Sequence, residues 1–172
     1  DIDLLLDIAE IALNENQNAT FTLGGRDIDH SSLERAKLLE HKFKDRFTFL
    51  GPVSRKEVIR LVQSSHVGFL LMKKGLSEDM GMTSPNKVFE YIYCCTIPIV
   101  RANMEVSKDI EKCTLLFNSK ADDKEIIDGV IDLIQDSSRM RCIMEREKEV
   151  RTAISWQEVF NRYILLYEKL FQ

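Results

Sequence analysis

The sequence predicts a parallel α/β sheet with helices on both faces, and three observations carry that expectation. Short β-favouring runs alternate with amphipathic helical patterns along the chain, the order that a parallel sheet with crossover helices requires. Most of these runs are followed by a helix-start signal, in which serine or aspartate stands three residues ahead of glutamate. Those pairs are Ser31/Glu34, Ser54/Glu57 and Asp122/Glu125, and Ser155/Glu158 repeats the signal between two helices. One run, residues 67–72, is apolar without alternation, as expected of a strand covered on both faces.

Taken in order, Leu4, Leu5, Ile8, Ala9, Ile11 and Ala12 recur at helical spacing and predict a helix over residues 3–15. Residues 19–23 are a strand that stops at Gly24-Gly25. Ser31 opens a helix reaching about Phe43, and residues 46–50 form the next strand, closed by Gly51-Pro52. The following helix starts at Ser54 with Val53 and Val58 as a hydrophobic staple, and turns Val58, Leu61 and Val62 inward. After strand 67–72 comes a loop, residues 73–83, containing Glu78-Asp79. Ser84 is then an N-cap and Pro85 occupies the first helical position, where its missing N–H costs nothing. Asn86, Lys87 and Glu90 share one face of this helix, and Val88, Ile92 and Cys95 form its apolar stripe. Strand 97–100, a short helix over 106–112 and a last strand, 114–117, follow. Asp122 caps a helix bearing Ile126, Ile127, Val130, Ile131 and Ile134; a charged helix covers 138–151. Ile154 and Val159 staple a closing helix with Phe160, Tyr163, Ile164, Tyr167 and Leu170.

With 172 residues, 44% hydrophobic and 30% charged, the chain fits one globular domain over residues 1–172. A net charge of −4 with scattered basic residues argues against a nucleic-acid partner. Cys94, Cys95, Cys113 and Cys142 lack zinc-type spacing, and Cys94-Cys95 falls in an expected buried helix, so they read as reduced thiols of a cytoplasmic protein. No run approaches the roughly 20 apolar residues of a membrane span. The chain starts at Asp1 directly in a helical pattern, and is expected to be a piece of a longer protein.

In such sheets ligands bind at the carboxyl ends of the strands, which places Gly24, Gly51, the 73–83 loop and Arg101 on the candidate rim. Lys87 is the unusual residue there. A cation in a first turn opposes the helix dipole, which makes sense if an anion docks on the free N–H groups beside it; the ordinary alternative is a lysine reaching into solvent. Gly24-Gly25 allows a ligand close to the backbone, although no G-x-G-x-x-G follows. Asp27-Ile28-Asp29 has a metal-ligand look, but Asp1-Ile2-Asp3 repeats it inside a helix, and no metal site is expected. His30, His41 and His66 stand apart from one another.

Ser84-Pro85-Asn86-Lys87-Val88-Phe89-Glu90-Tyr91, followed by Ile97-Pro98-Ile99-Val100, resembles the Pro-Asn-Lys-x-x-Glu segment of a known family. That family is the large retaining "group 1" of GT-B glycosyltransferases, and the segment belongs to its nucleotide-sugar half. Residues 19–25 are similar to the family's second strand and glycine turn, 47–53 to its Phe-x-Gly-x-Val turn, and 156–170 to its Trp-to-Tyr closing helix. The resemblance implies a Rossmann-like sheet, the C-terminal half of a GT-B fold. It further implies that Glu90 accepts hydrogen bonds from the donor ribose and that the backbone at Ser84, Pro85, Asn86 and Lys87 faces the diphosphate. Gly51-Pro52-Val53 would lie against the base, and Gly24-Gly25 would complete the donor site.

The implied chemistry is retaining glycosyl transfer without a metal or other cofactor, from a UDP- or GDP-type sugar, in building a cell-surface polysaccharide or glycoconjugate. No catalytic residue is assigned. The implied partner is the N-terminal acceptor domain of the same protein, through which alone membrane association would arise, so the expected location is the cytoplasm or the inner face of the membrane. Three departures accompany the resemblance. Met82 stands where the family has the first of two glutamates, with Glu78 and Asp79 as the nearest substitutes. Cys95 stands at the glycine that ends the helix. The first strand, with its basic pair, and the acceptor domain are outside the chain, so either that strand was left out or the sheet closes around a gap. The chain by itself is therefore expected to bind a donor without turning it over. A non-catalytic relative, and more remotely a GT-B-like sugar-nucleotide epimerase, are the competing readings.

Overall fold

The computed structural model describes the chain except residues 27, 75–85, 105, 156, 159, 162, 163, 166, 167 and 169–172. The elements run α1 (Ile2–Glu15), β1 (Phe21–Gly24), α2 (His30–Phe43), β2 (Phe47–Gly51), α3 (Arg55–Gln63), β3 (Val67–Leu71) and α4 (Asn86–Tyr93). They continue with β4 (Ile97–Arg101), α5 (Lys108–Glu111), β5 (Leu115–Phe117), α6 (Asp123–Gln135) and α7 (Ser137–Ala153). Every strand pairing among the described residues is parallel, and the expected Rossmann-like α/β architecture is present.

The strands form two sets, β1–β2 and β3–β4–β5, and no strand pairing joins them among the described residues. The break falls between β1 and β3. It is bridged by side chains: the Phe21 ring stacks on Phe47 within its own set and meets Phe69 of β3 at 5.8 Å between centroids. Helix α1 closes the same break from one face. Its Leu4 and Ile8 join the core of β3–β5 with Ile97, Ile99, Ile126 and Leu133. Its Leu6, Ala9 and Leu13 join Leu23, Leu39 and Phe47 over β1–β2. A third cluster, on the opposite face of β3–β5, gathers Val88 and Ile92 of α4, Val100 of β4, Ile110 and Cys113, with Val150 of α7 against it.

Several local expectations are corrected. β3 was expected to be covered on both faces, but it is only partly covered. Ile97 through Arg101 are all buried, whereas Val67 to Leu70 are only half-buried, because β4 is paired on both edges and β3 borders the break. Helix α2 starts before Ser31: Asp29 is its N-cap, accepting from the Ser32 amide at 3.0 Å and from the Ser31 and Ser32 hydroxyls. These bonds hold the Asp29 carboxyl far below the usual carboxylate range, and give it a capping role. Glu34 pairs instead with His30. Val58, Leu61 and Val62 are half-buried, and no residue of α3 is fully buried. Cys94 and Cys95 lie in the turn after α4 and are partly exposed. The boxes at Ser54/Glu57 and the cap at Asp122 form as expected, and the Glu158 amide donates to Ser155 Oγ at 3.3 Å. Phe160 and Ile164 are exposed, while Trp156, Val159, Tyr163, Tyr167 and Leu170 lie outside the described residues.

Candidate functional site

The carboxyl ends of β1 and β2 meet in one turn pair. The Gly25 amide donates to the Gly51 carbonyl at 2.8 Å, and Gly51 has φ +62°, a left-handed conformation that suits a residue without a side chain. A methyl group on Gly24 would stand 3.3 Å from Val53, so the absence of a side chain lets the two turns close on each other. The expected site residues Gly24, Gly25, Gly51 and Val53 are thus brought together, with Pro52 exposed at the tip.

From that turn the chain enters α3 through a two-way capping box: Ser54 Oγ accepts from the Glu57 amide, and Glu57 returns a carboxylate oxygen to the Ser54 amide at 2.8 Å. This fixes the start of α3 and aims its first residue, Arg55, across to α4. Arg55 Nη2 and Nη1 donate to Glu90 Oε1 and Oε2 at 2.6 and 3.3 Å, and the carboxylate raises the guanidinium pKa, chiefly through these bonds. Helix α4 is seated for this contact by its buried side. A methyl group on Gly68 would come 2.8 Å from the Tyr91 ring, which occupies that space, and Tyr91 Oη donates to the Phe69 carbonyl. Val88 and Ile92 are fully buried, which leaves Asn86 and Lys87 exposed in the first turn and Glu90 partly exposed one turn on. Ser84, Pro85, Met82, Glu78 and Asp79 lie outside the described residues, as does Asp27.

Between α3 and α4 runs a groove of about 400 Å³ lined by Arg55, Val58, Ile59, Phe89, Glu90 and Tyr93, among others. The ion pair supplies its charged lining; most of the rest is apolar. At the end of β4 a different guanidinium has a structural task. Arg101 is fully buried and donates to the Met72 carbonyl, Asp1 and Asp123, so it ties the end of β3 to the starts of α1 and α6 and is not free for a ligand. Among the described residues no group of three His, Cys, Asp or Glu side chains could hold a metal ion, and no helix is long and apolar enough to cross a membrane.

Arg55 is the residue that sequence reasoning passed over. A signal existed: like Lys87, it is a cation in the first turn of a helix at the carboxyl edge of the sheet, against the helix dipole. What the sequence could not show is that its counter-charge comes from Glu90, thirty-five positions away.

The family model for glycosyl transferases group 1 matches residues 1–150. No curated protein matches the chain. The match spans every described strand and reaches into α7, and it includes Asn86–Glu90 and the glycine turns of β1 and β2; the chain belongs to the group 1 glycosyl transferases.

Proposed function

We propose that the chain is the donor-binding half of a retaining glycosyltransferase, taking a UDP- or GDP-linked sugar at the carboxyl edge of its sheet. The observation that carries this is the position of Glu90. It is a partly exposed carboxylate one turn into a helix whose first residues, Asn86 and Lys87, are exposed, and Arg55 links it to the helix that follows the turn pair of β1 and β2. Two vicinal ribose hydroxyls find two acceptor oxygens there. The diphosphate would meet the N-terminal end of α4, where first-turn amides, the helix dipole and Lys87 favour an anion. As the glycosidic bond to the leaving group breaks, negative charge grows on the diphosphate, and these fixed groups stabilise it. The base would lie against Gly51-Pro52-Val53, with Gly24-Gly25 alongside. The acceptor site belongs to a second domain of the same protein, and cell-surface polysaccharide or glycoconjugate synthesis is the process such a transfer serves.

Calorimetric titration of the protein with UDP and GDP tests the donor site. One nucleotide should bind, and Glu90→Ala should weaken it about tenfold, the loss expected for removing a charged acceptor from two hydroxyl donors. No binding of either, or equal binding by Glu90→Ala, would sink the reading. Met82, in place of the first family glutamate, motivates a second reading, a nucleotide-binding relative without transferase activity. Binding by a full-length protein that neither transfers nor hydrolyses any nucleotide sugar would favour it.

A further inference from the structure

We propose that Arg55 is a latch on Glu90: it occupies the carboxylate edge that the ribose hydroxyls need, and donor binding displaces it. The inference rests on the reading of Glu90 as the ribose acceptor. The geometry is a two-pronged pair, Nη2 to Oε1 at 2.6 Å and Nη1 to Oε2 at 3.3 Å. A guanidinium bound in this way uses one lone pair on each oxygen along the outer edge of the carboxylate. A vicinal diol that gives one hydrogen bond to each oxygen approaches the same edge. The two therefore compete for the edge that the Arg55 guanidinium holds.

The surroundings suit a contact that opens. The Arg55 side chain is 69% exposed and Glu90 34%, so water screens the pair and replaces it at small cost. Glu90 is the only ion-pair partner of Arg55 among the described residues. At the first position of α3 the helix dipole opposes its charge, and the carboxylate of Glu90 offsets that. Arg101 shows the contrasting design: a guanidinium that is fully buried and bonded to three acceptors, built to stay. Displacement of Arg55 leaves its positive charge at the rim. Its loss by mutation would thus also weaken any anion by long-range attraction, and a test must separate that effect from the latch.

The test compares UDP and GDP with their 2′,3′-dideoxy counterparts in the wild type, Arg55→Ala, Glu90→Ala and the double variant. The readout is the ratio of the dideoxy to the ribo Kd, which isolates the hydroxyl contribution because both ligands carry the same diphosphate. Arg55→Ala should raise this ratio about two- to fivefold, the strength of an exposed ion pair. Glu90→Ala should bring it close to one with either residue at position 55. A ratio that is unchanged or lower in Arg55→Ala overturns the latch, while a drop in Glu90→Ala alone leaves the donor site standing. A ratio unmoved by Glu90→Ala, or no binding of either nucleotide, overturns the donor-site reading and the latch with it.

Discussion

Glu147 is buried in α7 with neither carboxylate oxygen hydrogen-bonded among the described residues. Burial alone pushes its pKa up, to about 8, and it faces the thiol of Cys113, itself raised to about 11, first by burial and then by this carboxylate. The unfolded chain releases the Glu147 proton near pH 4.5 and the folded chain holds it to about 8. Stability should therefore fall as pH rises through that window and level off above it. Glu147→Met should flatten the slope and, at pH 9, stabilise the protein by about 2–4 kcal/mol relative to wild type, read from denaturant midpoints across pH. Equal slopes in the two proteins would mean that water reaches the carboxylate. Sequence reading saw only a charged helix here, because charge ordinarily marks a solvated face. The stripe Ile143, Glu147, Val150 and Ile154 has the i, i+4, i+7, i+11 spacing of a buried face, and only packing against the core shows that its one charged member is inside. The same limit applied to Arg55, whose partner is distant in sequence.

At the scale of elements, the end of α4 carries a conformational cost. Cys95 has φ +58°, the left-handed region in which a Cβ crowds the backbone. Glycine is the residue that terminates a helix in this way without strain. Cys95→Gly should stabilise the protein by about 0.5–1 kcal/mol, the relief of strain less the greater entropy of a glycine in the unfolded chain. A lower denaturation midpoint in Cys95→Gly would show instead that the contact of Cys95 Sγ with Arg151, at 3.9 Å, matters more. Elements were legible where local chemistry decides them. The Ser54/Glu57 box and the Asp122 cap depend on residues within one turn, and both form as read. The start of α2 was misplaced by two residues because Asp29, Ser31 and Ser32 are all competent caps, and the aspartate, with two acceptor oxygens, accepts from the Ser32 amide and from both hydroxyls. Burial of α3 was overstated since an apolar stripe shows which face turns inward, not how much lies beneath it.

At the scale of the molecule, the class of fold was legible because alternation of strand and helix patterns leaves few alternatives to a parallel sheet. Of the candidate site, Gly24, Gly25, Gly51 and Val53 lie together in one turn pair, and Arg55, at the start of the next helix, bonds to Glu90. Strand order was not legible, since pairing is set by contacts far apart in sequence; an interruption of the sheet was expected from the resemblance, and the break between β1 and β3 is one. That break has a dynamic consequence. Where no strand pairing joins the two sets among the described residues, β1, β2 and α2 can open as one cooperative unit while β3–β5 stay closed, α1 acting as the clamp between them. Native-state hydrogen exchange should then show two free-energy levels, the β4 amides highest and those of β1 and β2 lower. Leu6→Ala, which thins the α1 contact with the first unit, should lower the β1–β2 level by about 2–4 kcal/mol and leave β4 nearly unmoved. Since the turn pair Gly24-Gly25 and Gly51-Val53 belongs to the looser unit and Glu90 to the tighter one, a ligand spanning both would act as a rivet, and bound nucleotide should merge the two exchange levels into one.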